Sequence, residues 1–227
     1  FDPGNAHCVP YLWGTTGIAY DSERIPVPDS WRVLWERRYR GRISMLSDPR
    51  ETIGAALKAL GHSLNTTDPR ALRAAADLLR RQKPLVKTYT SDTYDELLLA
   101  GEIWLAHAWS GDAARVAQQK PTVKYALPKE GSTIYTEHLC IPKGAPHKKT
   151  AEVFINYLLR PEVAARLVAF TRHPSPNAGA RALLPPALLN DPTVLPSEEA
   201  LARLEWMEDV GEADRLYDRT WAELRIR

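Results

Sequence analysis

The stretch 103-IWLAHAWSGDAA-114 decides the fold. Its first seven residues are an apolar run of strand length, rich in β-formers, and Ser-Gly-Asp then breaks it and opens a short helix. A strand passing straight into a helix is half of an α/β unit. Working outward, the same alternation recurs. Upstream lie a strand at 42-RISML-46, helices opened by Asp48-Pro49 (about 51–60) and Asp68-Pro69 (to about Gln82), a strand at 85-LVKTYT-90 and a helix over 93–100. Downstream come strands at 122-TVKYALP-128 and 133-TIYTEHLCIP-142, helices at about 148–159 and 161–171, and further helices near 197–206 and 212–224. A long apolar run, 9-VPYLWGTTGIAYD-21, reads as a strand bent at Gly14 and Gly17, and 30-SWRVLWERRY-39 as a short helix capped by Ser30. Alternating strands and helices imply an α/β sheet covered on both faces.

The totals narrow the function. With 227 residues, 44% of them apolar and 26% charged, the chain is long enough for one large domain or two lobes. No run reaches the roughly 18–20 apolar residues of a membrane span. The chain begins at Phe1 without an initiator Met or a signal peptide, and is therefore expected to be processed or trimmed. A net charge of +2 argues against a nucleic-acid binder. The one arginine cluster, 37-RRYRGR-42, reads as a solvated turn or a docking patch. The six histidines are scattered singly and the two cysteines form no CxxC, so no zinc site and no cofactor are expected. Without GxSxG, HExxH, P-loop or GxGxxG patterns, the chain is not expected to be an enzyme.

Carboxylates and aromatics are the informative residues. On the strand 133–142, Tyr135, Glu137 and Leu139 share one face. A carboxylate there is wet at a sheet edge, paired with an arginine, or part of a pocket where ring and carboxylate attract one cation. Asp48 and Glu51 read first as helix N-cap and capping-box glutamate. Trp109, at the carboxyl end of its strand, is either a core residue or a ligand contact. Taken singly, His173 and Met207 read as surface or packing residues.

The chain resembles the spermidine/putrescine-binding proteins, periplasmic receptors of polyamine ABC importers. The likeness rests on 9-VPYLWGTTGIAYD-21, 103-IWLAHAWSGDAA-114, 127-LPKEGSTIYTEHLCIPKGA-145, 153-VFINYLLRPEVAARL-167, 174-PSPNAGARALLP-185 and 205-EWMEDVG-211, in order along nearly the whole chain. The resemblance implies the type II periplasmic-binding-protein architecture: two α/β lobes joined by crossover strands, with the ligand clamped between them. It assigns Asp48 and Glu51 to the acidic residues facing the polyamine, Trp109 to a flanking aromatic, and Tyr135 and Glu137 to an aromatic-x-acidic pair. His173 stands where the family has tyrosine and Met207 where it has glutamine; the expected ligand is a polyamine, spermidine or putrescine, and another cationic or amino solute on the same fold is the alternative these two positions raise. A fragment serving only as an interaction module is the remaining alternative.

The resemblance also implies a location and partners: periplasmic, or extracellular and membrane-tethered, delivering a polyamine to an ABC permease. Roughly the first hundred residues of such a receptor have no counterpart here. Residues 14–137 and 177–227 are expected to form the second lobe, and 1–13 with 138–176 an incomplete first lobe. The apolar side chains Phe154, Ile155, Tyr157, Leu158 and Leu159 would then lack the sheet they cover, leaving a face open to self-association or to the missing piece. In the same frame Cys8 and Cys140 fall in neighbouring crossover segments, as a hinge disulfide or as two packed thiols.

Overall fold

The structure, a computed structural model, describes residues 2–226. Seven strands and ten helices alternate along those residues. The first strand, β1 (Cys8–Asp21), is followed by β2 (Ile43–Met45), α1 (Pro49–Ala59), α2 (Pro69–Gln82), β3 (Val86–Tyr89), α3 (Tyr94–Leu99), β4 (Leu105–Trp109) and α4 (Ser110–Gln119). Then come β5 (Val123–Ala126), β6 (Thr133–Cys140), α5 (Lys148–Leu158), α6 (Pro161–Thr171), three one-turn helices α7 (Ala178–Arg181), α8 (Pro186–Leu189) and α9 (Glu198–Leu201), β7 (Glu205–Trp206) and α10 (Asp214–Ile226).

Two expectations about local structure change. Residues 31–39 form two 3₁₀ turns, Trp31–Trp35 and Arg37–Tyr39, although Ser30 does cap the first through Arg32 N–H. The helix expected over 197–206 stops after one turn, and Glu205–Trp206 instead joins the sheet. There Thr133 pairs with Glu205 and Ile134 with Trp206. Helical propensity lost to strand pairing at this site because the segment had a sheet edge to complete.

The sheet runs β3-β2-β4-β1-β6-β7, with β5 also on β1. β1 is its spine and serves two partners in succession. Its first half, Cys8 to Thr15, lies antiparallel to β6; its second half, Thr16 to Tyr20, lies antiparallel to β4. Around β4 both sheet faces are covered. Ile18, Tyr20, Trp31, Ile43, Met45 and Leu105 pack on one side. Ala19, Tyr94, Leu98, Ala106, Ala108 and Val116 pack on the other. This double burial explains the near-continuous apolar strands. On the far end of the ribbon, Cys8 and Cys140 are register partners with Cα atoms 4.4 Å apart, and they form a disulfide. Of the two readings left open, the bridge is correct.

The later helices split into two groups. α6 buries Ala164, Ala165 and Val168 against Ala114 of α4 and against Ala180, Leu184 and Leu188. α5 buries no residue, and Val153, Phe154 and Tyr157 are exposed together with Phe170 of α6. Among the described residues no helix is long and apolar enough to cross a membrane.

Candidate functional site

The site is built where β1 changes partners. Asp48 caps α1, its Oδ1 accepting from Glu51 N–H at 2.9 Å, with Pro49 in the first turn. Glu51 does not close the capping box. Its buried carboxylate turns toward the sheet and takes three side-chain donors. Oε1 accepts from Thr16 Oγ1 at 2.8 Å and from Trp109 Nε1 at 3.3 Å, and Oε2 accepts from Thr133 Oγ1 at 3.0 Å. Thr16 and Trp109 are register partners, so both donors reach one oxygen from neighbouring strands. Burial pushes the Glu51 carboxyl up from its ordinary range; the three donors pull it back, and the charge of Asp48 adds to the rise.

Trp109 is held from two directions. Its backbone N–H donates to the Tyr94 hydroxyl at 3.2 Å, and that hydroxyl donates to Asp112 Oδ2 at 2.6 Å. The two rings meet edge to face with centroids 6.4 Å apart. Burial, with the Asp112 carboxylate next, raises the Tyr94 phenol. Asp112 Oδ1 in turn accepts from Arg115 at 2.5 Å.

Tyr135 lies opposite Gly14 in the β1–β6 ribbon, and its phenol crosses the glycine so closely that a Cβ at 14 would meet the hydroxyl at 2.5 Å. Gly14 therefore makes room for a ring, where the sequence suggested a bend. Burial raises the Tyr135 phenol, followed by Tyr125 and by the carboxylates of Asp112, Glu137 and Glu51. Glu137 is two residues further along. β7 covers only Thr133 and Ile134, so from Tyr135 onward β6 is paired with β1 alone and Glu137 is exposed. No ion pair among the described residues includes it. Its charge is felt by Tyr11, whose phenol is raised by burial first and by Glu137 second.

The seven residues singled out in the sequence do not form one ring. Glu51 and Trp109 are bonded, and Tyr135 stands within electrostatic reach of Glu51. Glu137 and His173 line a cavity of about 470 Å³ with Leu12, Arg115, Gln118 and Phe170. Met207 instead lines a wider opening of about 1050 Å³ with Tyr135, Trp206, Glu208 and Asp209. The pairing of Trp206 with Ile134 carries Met207 to the level of Tyr135. Asp48 is the outlier, its carboxylate engaged by the start of α1. Sequence reasoning missed Thr16, Thr133, Tyr94 and Arg115. Thr16, Thr133 and Tyr94 carry no local signal, because each matters through a partner 18 to 82 residues away, whereas Asp112 and Arg115 are one helical turn apart and legible as an i,i+3 pair. Among the described residues no group of three or more His, Cys, Asp or Glu side chains could hold a metal ion.

A mixed sheet whose central strand passes from one set of partners to another, with carboxylates and rings at the crossing, has the periplasmic-binding-protein type II fold of its structural neighbours. The chain belongs to the bacterial extracellular solute-binding protein family, whose model matches residues 3–196. This is a family of transport receptors, in agreement with the expectation that the chain is not an enzyme. It is 36% identical over 227 residues to the spermidine/putrescine-binding periplasmic protein of Salmonella typhimurium, covering 99% of this chain and 65% of that protein. A putrescine-binding periplasmic protein of Pseudomonas aeruginosa is 34% identical over 244 residues, with 99% and 66% covered. A spermidine/putrescine ABC transporter substrate-binding protein of Streptococcus pneumoniae superposes with a TM-score of 0.87 at 29% identity, covering 99% of this chain and 70% of that one. The chain thus spans about two thirds of the length of these relatives.

Proposed function

We propose that this chain carries the larger part of an extracytoplasmic polyamine receptor, which captures its ligand between two lobes and delivers it to an ABC permease. In this reading residues 14–137 and 177–227 form one lobe, while 1–13 and 138–176 belong to the other. The observation that carries the proposal is Glu137: an exposed carboxylate without an ion pair, beside the phenols of Tyr11 and Tyr135. A ring face and a carboxylate side by side suit an alkylammonium, because the carboxylate pairs the charge and the ring covers the methylenes. An aromatic contact adds about 0.5–2 kcal/mol per cation, and each buried CH₂ about 0.8 kcal/mol. Glu51 then acts less as a direct contact than as the anchor that aims Trp109. Asp48 serves through the helix start, and His173 and Met207 tune the two openings.

The exposed rings of Phe154, Tyr157 and Phe170 form, on this reading, a contact face for a second copy, which sedimentation of the isolated chain tests: a sharp monomer boundary overturns it. The test of function is isothermal titration of the chain with putrescine and spermidine, repeated on Glu137→Gln. Saturable binding lost in the variant supports a polyamine site at Glu137. Binding that survives unchanged in the variant rejects that placement.

A further inference from the structure

The cavity beside Glu137 holds one guanidinium that the family assignment does not use. Arg115, on the second turn of α4, faces the same 470 Å³ space as Glu137 and His173. It does not hang free. Its Nη2 bonds Asp112 at 2.5 Å, Asp112 is fixed by the Tyr94 hydroxyl, and Tyr94 also holds the backbone of Trp109. The pair spans one helical turn and leaves about half of the Arg115 side chain exposed, so the guanidinium is biased toward this position by a surface ion pair.

Counting charges gives the consequence. Glu137 is the one carboxylate among the cavity's lining residues and has no ion pair among the described residues, while Asp112, the partner of Arg115, does not line the cavity. One ammonium satisfies it. A second ammonium in the same space would find no carboxylate and would stand near a guanidinium, and an unpaired charge removed from water is unfavourable by several kcal/mol in the limit of full burial.

We infer that Arg115 is a specificity-determining residue that restricts this end of the site to a single ammonium group, so that the receptor selects diamines over triamines. The inference rests on the polyamine reading and adds the ligand class to it. Putrescine places one charge in the cavity. Spermidine, with a third ammonium only three or four methylenes from the next, brings a second charge toward Arg115.

The experiment is titration of the 227-residue chain with putrescine and with spermidine, in wild type, Arg115→Met, Arg115→Gln and Glu137→Gln. Wild type is expected to bind putrescine at least about tenfold more tightly than spermidine, from the repulsion of like charges a few ångströms apart. Both Arg115 variants should tighten spermidine by about tenfold or more while changing putrescine by less than about threefold. The Met variant keeps an unbranched apolar stem, and Gln keeps a polar end without charge, so agreement between them separates charge from packing. Equal wild-type affinities, or parallel changes for both amines, overturn the role of Arg115 but leave the polyamine site standing, provided Glu137→Gln still abolishes binding. Absence of binding by either amine in every protein overturns both.

Discussion

The imidazole of His173 lies against Gly111, in the space a side chain at 111 would occupy: a Cβ there would come within 2.1 Å of the ring Cε1. Gly111 is in the first turn of α4, two residues after Trp109, so the contact ties the end of α6 to the site. Gly111→Ala should therefore displace His173 without unfolding α4. Alanine is preferred to glycine in a helix by about 0.5–1 kcal/mol, which offsets the cost of moving one side chain. The expected result is a melting temperature close to wild type with an altered ratio of diamine to triamine affinity. A large drop in melting temperature would mean that the ring has nowhere to go.

Glu51 is expected to matter for both stability and binding. In Glu51→Gln, one carboxylate oxygen becomes an NH₂ that must face a hydroxyl or indole donor, so at least one of the three bonds is lost or reversed. Leaving one buried polar group unsatisfied costs about 1–3 kcal/mol. Urea denaturation should show this loss, and fluorescence of the less constrained Trp109 should change. An unchanged midpoint would remove Glu51 from the role of anchor.

His107 predicts the shape of the acid limb. It lies buried on β4, its ring edge-on to Trp31 with centroids 5.1 Å apart, and neither ring nitrogen has a hydrogen-bond partner among the described residues. Burial drives its pKa down from 6.5 to about 3. Below the unfolded value the unfolded chain takes up a proton that the folded chain refuses, so stability rises with pH across this window. The contribution is complete above about pH 6.5 and is lost at up to about 1.4 kcal/mol per unit as pH falls toward 3. His107→Leu should flatten the dependence of ΔG on pH between these limits by about one proton. Equal slopes in the two proteins would show that His107 is reached by water.

The bridge between Cys8 and Cys140 closes a separation of 132 residues. Chain-entropy arguments put the stabilisation from so long a loop at up to about 5 kcal/mol, and measured bridges commonly give about 2–4. Reduction should lower the urea midpoint by a corresponding amount. Thiol titration of the unfolded, unreduced chain should find no free thiol. Two titratable thiols would refute the bridge outright.

Much of this fold is written locally. Asp48-Pro49 and Asp68-Pro69 start their helices where the sequence places them, because a cap needs only its own side chain and the next few N–H groups. The long strand from 9 to 21 and the run 103–109 are legible for a similar reason: apolar β-formers in a row leave a doubly covered strand as the solution. Glu205–Trp206 reads as helix from the sequence but pairs as a strand, since its preference for a strand comes from the exposed edge of β6 and not from its neighbours in the chain.

The family, too, could be recognised from motifs alone, because their order along the chain survives without any coordinates. Tertiary structure alone decided what the carboxylates other than Asp48 do. The sequence reads Asp48 as a cap, which it is, but reads Glu51 as its capping-box partner and leaves Glu137 open. Folding gives Glu51 to three donors from three strands, joins Asp112 to Tyr94 across 18 residues, and leaves Glu137 exposed without an ion pair among the described residues. The physical reason is that a charge takes its role from the groups within a few ångströms of it. For Glu51 those groups come from residues 35 to 82 positions away, a distance over which no local periodicity carries information.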